Sequence, residues 1–175
     1  MSNKSKNKGK GWERDVCIFL SELYHESFIR VPNSGAYVGG KNEYRKDTLS
    51  EEQIKLARGD IIPPAKFPYF LAECKNYADF PFHLLFGKSS ISLLDTWIEQ
   101  VEHDVISDND LWLLFIKITR KGTYVLFDTN LYDPKESCIE CRKTYGSIYK
   151  NYWFAEMNIF FKCHKDKLKM RWKGQ

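Results

Sequence analysis

The longest strongly apolar run in the chain, Leu111 to Ile118, already contains Lys117 and is far too short to cross a membrane. A run of this length suits a buried β-strand, and a second strand is predicted over 123–127, after the tight turn Arg120-Lys121-Gly122. With 43% hydrophobic and 15% aromatic residues, the 175 residues are enough for a hydrophobic core of their own. The sequence therefore predicts one globular domain and excludes a transmembrane protein.

The amino terminus and the cysteines both indicate the compartment. The basic residues at the amino terminus are not followed by an apolar segment, so no secretory signal is predicted. The five cysteines, at positions 17, 74, 138, 141 and 163, are odd in number, and three of them stand in apolar or mixed runs. This favours reduced thiols over a disulfide scaffold. We expect an intracellular protein, cytoplasmic in the host cell if its source is viral.

The net charge of +4 is distributed unevenly along the chain. Residues 1–14 carry +4 and residues 162–175 carry +5, which leaves about −5 for the middle. Two basic ends suit a polyanionic partner, because each Lys or Arg that neutralises a phosphate releases counterions. Solvated, mobile termini are the alternative explanation. We predict a basic amino-terminal arm over 1–10 and a basic carboxy-terminal tail over 162–175.

Hydrophobic periodicity predicts alternating helices and strands. A hairpin around Pro63 to Pro68 is the simplest connection between the second and third strands. The predicted elements are a helix over 11–25, strands over 28–31, 60–62 and 69–75, a helix over 92–106 capped by Ser92 and Asp95, strands over 111–119 and 123–127, and an aromatic strand over 152–161. This order predicts an α/β fold with a mixed sheet. Residues 36–57, which include a short predicted helix from Ser50, and residues 76–90 are insertions.

Two charged residues interrupt the apolar run that begins at Tyr69. Because side chains alternate along a strand, Glu73 and Lys75 are expected on one face and Cys74 on the other. A carboxylate and an ammonium in an apolar strand are costly to bury unless they pair or bind a ligand. A structural ion pair on an edge strand is the alternative for these two residues.

The predicted hairpin brings Asp60 towards Glu73. Two adjacent carboxylates favour a divalent cation, and oxygen ligands without a nearby His or Cys suit Mg²⁺, for which Mn²⁺ can substitute. Such a site can activate water and neutralise charge during phosphodiester hydrolysis. Lys75 would position the nucleophile or stabilise developing negative charge. Glu13, on the first helix, could add a metal contact directly or through water.

These residues carry a resemblance to a known family. Asp60 followed by Glu73-Cys74-Lys75 resembles the PD-(D/E)xK nuclease signature, with Gly59 in place of the proline. More narrowly, the chain resembles the archaeal-type Holliday junction resolvases and their phage relatives over about residues 9–127. The segments that carry this narrower resemblance are Gly9-Lys10-Gly11-Trp12-Glu13-Arg14, Arg30-Val31-Pro32-Asn33-Ser34-Gly35, Gly59-Asp60-Ile61-Ile62, Glu73-Cys74-Lys75 and Gln100.

The resemblance implies a restriction-endonuclease-like core, with a mixed five-stranded sheet flanked by helices. It implies a homodimer that binds four-way DNA junctions and makes two symmetric nicks with Mg²⁺, an activity in DNA recombination. Carried over residue by residue, the metal acids are Glu13, Asp60 and Glu73, the catalytic lysine is Lys75, and Ser34 lies on a loop that helps cleavage. The residues expected to support the site or bind DNA are Lys10, Arg14, Arg30 and Gln100. The two insertions and the long carboxy-terminal extension depart from the family pattern.

Other functions compete with this one. Another nuclease on the same core, acting on ends, flaps or duplex, is one alternative, and a non-catalytic DNA-binding module is a second. A zinc site at Cys138, Cys141, Cys163 and His164 is disfavoured, because an adjacent Cys-His pair is a poor second half for a tetrahedral site. Aromatic residues near the carboxy terminus, including Trp153 and Trp172, could stack on unpaired bases or belong to the core. No P-loop is present, so no nucleotide cofactor is expected.

Overall fold

The computed structural model describes residues 3–32, 50, 58–87, 89–130 and 146–174. Within these residues the helices are α1 (Asn3–Tyr24), α2 (Ser92–His103) and α3 (Met157–Lys173), and a 3-10 helix spans Phe82–Phe86. The strands are β1 (Ile29–Arg30), β2 (Ile61–Ile62), β3 (Phe70–Tyr77), β4 (Leu111–Ile118), β5 (Gly122–Asp128), β6 (Gly146–Tyr149) and β7 (Tyr152–Glu156). In this part of the chain no helix is both long enough and apolar enough to span a bilayer.

Five strands form one mixed sheet in the order β3-β4-β5-β7-β6. β3 and β4 are parallel, because α2 crosses over between them, and the other neighbours are antiparallel. The three helices flank this sheet, so the predicted α/β class with a mixed five-stranded sheet is confirmed. The arrangement is consistent with a restriction-endonuclease-like core.

The predicted hairpin between the second and third strands is wrong. β2 pairs antiparallel with β1, with Ile62 opposite Ile29, and the two form a separate small sheet. The residue before β2 still reaches β3, because the Asp60 amide donates to the carbonyl of Ala72 at 2.8 Å. Asp60 therefore lies beside β3, as predicted, although no hairpin connects β2 and β3.

The sheet separates two hydrophobic cores. α1 and α3 cover one face, where Trp12 and Trp172 donate their indole hydrogens to the carbonyls of Phe115 and Leu111. α2 covers the other face with the buried residues Leu94 and Trp97. We call these the α1 face and the α2 face.

α1 begins eight residues earlier than predicted. It starts at Asn3, so most of the predicted basic arm over 1–10 belongs to the helix. Residues such as Lys8 and Lys10 are exposed and carry no apolar periodicity, which explains why the pattern failed to detect this part. The Asn76 side-chain amide donates to the Lys8 carbonyl at 3.1 Å and ties this turn to β3.

The carboxy-terminal predictions need two corrections. The aromatic strand predicted over 152–161 ends at Glu156, whose side chain accepts a hydrogen bond from the Ile159 amide at 2.8 Å and caps α3. The predicted tail is helical to Lys173, because the buried residues Phe161, Leu168 and Trp172 lie on one face of an amphipathic helix. β6, for which no strand is predicted, forms the edge of the sheet beside β7.

Two further expectations change around α2. Ile91 occupies the cap position without a side-chain hydrogen bond, while Asp95 accepts from the hydroxyl of Tyr149 and the ammonium of Lys150, both at 2.7 Å. The cap predicted for Ser92 and Asp95 is therefore wrong. Part of the predicted insertion over 76–90 extends β3 to Tyr77 and then forms the 3-10 helix. The helix predicted from Ser50 lies over 51–57, outside the described residues.

Candidate active site

The free edge of β3 holds the first acid. Asp60 contacts this edge twice: its amide donates to the Ala72 carbonyl, and its carboxylate accepts from the Cys74 amide at 2.8 Å. Its own carbonyl accepts from the Val31 amide at 2.9 Å. Asp60 is 7% exposed. Backbone contacts on both sides therefore fix a buried carboxylate beside β3.

A glycine makes this close approach possible. Gly59 has a φ of +63°, and a Cβ atom there would lie 2.5 Å from the Ala72 carbonyl oxygen. A left-handed backbone with no space for a side chain is a position for glycine alone. This accounts for a glycine where the nuclease signature usually has proline.

The second acid and the lysine lie on the α2 face of β3, as strand alternation predicts. Gln100 of α2 joins them: its amide nitrogen donates to Glu73 Oε1, and its oxygen accepts from Lys75 Nζ at 2.6 Å. Lys75 Nζ also lies 3.5 Å from Glu73 Oε1. One side chain of α2 thus holds both charged groups of β3.

Glu73 is the most strongly perturbed of the acids. Burial raises the pKa of Glu73 well above its usual range, and a hydrogen bond to the Asp60 carboxyl and the negative charge of Asp60 raise it further. Two carboxyls share such a bond only when one of them is protonated. Within the described residues, the buried Glu73 Oε2 receives no hydrogen bond from a donor. The pair therefore needs a proton or a cation between its members.

The third acid approaches from the α1 face. Glu13 of α1 accepts from Arg30 of β1 at 3.1 Å, and the pair forms a salt bridge. Burial and the nearby charge of Asp60 raise the pKa of Glu13, while Arg30 and Lys10 oppose the rise. The negative charge of Asp60 thus raises the pKa of an acid on each face, Glu13 and Glu73.

The remaining predicted residues divide into two groups. Lys10 and Arg14 are exposed on α1, in the turns around Glu13. Ser34 lies outside the described residues, so its predicted role on a loop stays a prediction.

The donor set fits a divalent cation at Asp60 and Glu73. The two carboxylates are adjacent, and one buried oxygen of Glu73 is available for a ligand. Such oxygen donors are those that Mg²⁺ prefers. Among the described residues, no group of three or more His, Cys, Asp or Glu side chains is arranged to hold a metal ion. Direct or water-mediated ligation by Glu13 therefore stays a prediction.

Three residues near the site were not singled out from the sequence. The Gly59 amide donates to Asp104 at 3.1 Å, and Arg58 forms a buried ion pair with Asp110 through both of its terminal nitrogens. Arg58 directly precedes Gly59-Asp60, and Asp110 directly precedes β4. The sequence shows only a charged residue shortly before each of the strands predicted over 60–62 and 111–119, which does not reveal that Arg58 and Asp110 are partners.

The zinc and stacking alternatives concern the carboxy-terminal part of the chain. Cys138 and Cys141 lie outside the described residues. His164 is buried against Phe160, and burial lowers its pKa to about 4. Trp153 and Trp172 are both buried, so these two rings belong to the core and do not present a face to unpaired bases.

Comparison with known proteins identifies a family. A family model described as "Phage putative PDDEXK endonuclease" matches residues 4–169, nearly the whole chain. The matched region contains Asp60, Glu73 and Lys75. No curated protein and no solved structure matches the chain.

Proposed function

The chain belongs to the phage PDDEXK endonuclease family, and on that premise we propose that it resolves four-way Holliday junctions with a divalent cation. In this proposal Mg²⁺ is the natural cofactor and Mn²⁺ substitutes for it. The protein acts as a homodimer whose two active sites nick two strands symmetrically. A symmetric dimer suits this substrate, because a four-way junction also presents paired, equivalent strands.

One observation carries the nuclease part of the proposal. A buried Glu73 with an oxygen free of donors lies against Asp60, on the strand that also bears Lys75. A purely structural ion pair would satisfy both oxygens of the acid, since buried charges without partners are strongly destabilising. The family match and this unsatisfied oxygen together support a catalytic pair.

The roles of the residues follow from their contacts. Asp60 and Glu73 would hold the cation, which supplies Lewis-acid activation of water and neutralises charge on the phosphodiester. Lys75, held by Gln100 at 2.6 Å, places a positive charge beside the acids, where it can stabilise the negative charge that develops at phosphorus. Gln100 hydrogen-bonds to both Glu73 and Lys75 and would fix their orientation, which is the supporting role proposed for it.

Exposed cations near the acids support a DNA substrate. Lys8, Lys10 and Arg14 are exposed on α1, and Lys10 lies close enough to Glu13 to affect its pKa. Asn76 ties the Lys8 turn to the strand that carries Lys75. A phosphate backbone that reaches the acids would pass these cations, which would contribute salt-dependent affinity.

The junction specificity rests on the narrower resemblance. Glu13, Arg30 and Gln100 belong to the resolvase-like segments and not to the bare nuclease signature. Each of them contacts the site or its neighbours, Arg30 through Glu13 and Gln100 through Glu73. These contacts support a nuclease site, and the sequence resemblance is what favours a junction substrate; ends, flaps and plain duplex are the alternative substrates for this core.

A substrate panel tests the proposal. The purified protein is incubated with a synthetic four-way junction, a flap, a free end and a linear duplex, with Mg²⁺, with Mn²⁺ or with EDTA. We expect paired nicks in opposite strands of the junction only, dependent on the cation. Asp60→Asn should abolish cleavage and retain junction binding, whereas Asp95→Asn, on the far end of α2, should cleave normally.

Mixed dimers sharpen the test. In a mixture of wild type with excess Asp60→Asn, nicking of a single strand per junction should replace paired nicking if each subunit cuts one strand. Equal cutting of linear duplex would refute junction specificity and support another nuclease of this superfamily. A lack of cleavage with either cation would instead support a non-catalytic DNA-binding module.

A further inference from the structure

We propose that the end of α2 and the loop after it position Asp60 against Glu73, through Asp104, Asp110 and Arg58. These three are positioning residues, because their hydrogen bonds hold the segment that carries Asp60 and do not involve the buried oxygen of Glu73. The inference rests on the proposed metal-dependent nuclease function and names the residues that set the geometry of its site.

Each residue of the segment 58–60 is held by a different partner. Arg58 donates to Asp110 with both terminal nitrogens, Gly59 donates its amide to Asp104 at 3.1 Å, and Asp60 is bonded to the edge of β3. Arg58 Nη2 also lies 3.5 Å from the Pro68 carbonyl, just before β3. Three consecutive anchors leave Asp60 little freedom to move relative to Glu73.

Folding stability alone does not explain the Arg58–Asp110 ion pair. The side chains are 7% and 1% exposed, and burying two charges costs a desolvation energy that an ion pair often only offsets. The two parallel hydrogen bonds from Arg58 to Asp110 do, however, fix the orientation of the guanidinium group as well as its distance from the carboxylate. Asp110 Oδ2 also accepts from the amides of Ile106 and Ser107, both at 3.1 Å, so the pair is joined to the loop after α2.

α2 and the residue that caps its carboxy-terminal end link the two acids. Gln100 of α2 holds Glu73 and Lys75, and Asp104, the C-cap residue that directly follows α2 with helical backbone angles, holds Gly59, the neighbour of Asp60. Residues four apart on a helix lie on the same side, so their separation is set by the helix itself. The distance between the carboxylates of Asp60 and Glu73 is thereby tied to a rigid element.

Asp104 offers the cleanest experiment, because its side chain is 30% exposed and its removal leaves no buried charge. Asp104→Ala removes the acceptor for the Gly59 amide, and Asp104→Asn keeps an acceptor while removing the charge. Asp95→Ala is the matched control: it lies at the other end of α2, is 21% exposed, and accepts hydrogen bonds from Tyr149 and Lys150.

Three quantities are measured on each full-length variant: the melting temperature without metal, the Mn²⁺ dissociation constant by calorimetry, and the single-turnover cleavage rate. Loss of a residue that orients a metal ligand typically weakens metal binding about 10–100-fold. We expect a loss of Mn²⁺ affinity of this size for Asp104→Ala and near wild-type affinity for Asp104→Asn. Asp95→Ala should bind Mn²⁺ as wild type does, even if its melting temperature falls as much as that of Asp104→Ala.

Arg58→Lys gives an independent measurement. Lysine keeps the charge opposite Asp110 but cannot make the two-pronged interaction, so this variant should fold and bind Mn²⁺ about 10–100-fold more weakly. Wild-type Mn²⁺ affinity in both Asp104→Ala and Arg58→Lys would overturn the inference. So would an equal loss in Asp104→Asn and Asp104→Ala, since charge and not the hydrogen bond would then be the cause.

The failure of the proposed function has a different signature. If wild type binds no Mn²⁺, or if Asp60→Asn binds it as tightly as wild type, the acids are not a metal site and the proposed function itself fails. If Asp60→Asn loses Mn²⁺ and Asp104→Ala does not, only the positioning role fails.

Discussion

The two faces of the sheet bring different acids to the site. On the α1 face, Glu13 is already compensated by a salt bridge to Arg30 at 3.1 Å. On the α2 face, Glu73 has Lys75 at 3.5 Å and Gln100, and its second oxygen still receives no donor from the described residues. Among the described residues, the buried carboxylate oxygen without a donor is therefore on the α2 side, on Glu73 beside Asp60, whereas the carboxylate of Glu13 already has a charged partner.

The outer surfaces of α2 and α3 differ in charge. α2 exposes Glu99 and Glu102, whereas α3, on the α1 face, presents lysines at helical spacing. These lysines are Lys162, Lys165, Lys169 and Lys173. Residues three and four apart share one side of a helix, so these four form a continuous basic stripe. We expect the chemistry to depend on the α2 face and DNA affinity to depend more on the α1 face.

The largest effect expected from this comparison is on cleavage. Glu73→Gln should slow single-turnover cleavage by about 10²–10³-fold or more, because it removes a carboxylate from the proposed cation site. Glu13→Gln should slow it less, only about tenfold, because Glu13 is already paired with Arg30 while Glu73 carries the buried oxygen without a donor. Rates are measured at saturating Mg²⁺ on the substrate that wild type cuts best.

Glu99→Gln, an exposed acid on α2, is the matched control and should cleave at the wild-type rate. Equal reductions in Glu73→Gln and Glu13→Gln would show that the two faces contribute alike, which contradicts the comparison.

A smaller effect is expected on DNA binding. Replacing Lys162, Lys165 and Lys169 with Gln should make the dependence of log K on log salt shallower by about 0.9 for each phosphate that the protein no longer neutralises. A variant with the same reduction in charge elsewhere, in Arg120, Lys121 and Lys150, should leave the slope unchanged. Binding is measured with catalytically inactive Asp60→Asn protein at several salt concentrations. If both triple variants lower the slope equally, the stripe has no special role and only net charge matters.

The smallest effect is on stability without metal. The folded-state pKa of Glu73 is raised, so the folded protein binds the proton more tightly than the unfolded chain and is destabilised as pH rises above about 4.5, the ordinary value. Glu73→Gln mimics the protonated acid and should raise the melting temperature in EDTA at neutral pH, by about 2–4 °C for each kcal/mol of penalty removed.

The pH dependence gives this prediction its control. Well below pH 4.5, where Glu73 is protonated in both the folded and the unfolded state, the difference between Glu73→Gln and wild type should disappear. A variant that is less stable than wild type at neutral pH in EDTA would indicate that the buried carboxylate is already compensated, against the comparison drawn above.

Much of the fold could be predicted where burial and periodicity coincide. β4 and β5 were predicted within a residue or two, because they alternate or run continuously apolar between clear turns. α3 was predicted as a strand and a tail, since its aromatic beginning resembles a strand and its lysines obscure the buried residues Leu168 and Trp172. The first turns of α1 were missed because residues such as Lys8 and Lys10 are exposed and a helix there needs no apolar pattern.

The site was predicted unevenly for a similar reason. Asp60, Glu73 and Lys75 could be named because charges in or beside an apolar strand need an explanation, and the structure places them together. Asp104 and Asp110 could not be named, because their partners Gly59 and Arg58 are about fifty residues away in the sequence. Only the crossover of α2 brings them beside Asp60.

The amino-acid sequence by itself determined which residues to propose for the site: two acids and a lysine on or beside one predicted strand. Alternation along β3 was sufficient to put Glu73 and Lys75 on one face. The tertiary structure alone decided that Asp60 reaches them from the sheet edge, outside any hairpin, and that one end of α2 contacts both segments. The physical reason is that side-chain direction is a local property of the backbone, whereas the distance between two carboxylates depends on how separate elements pack.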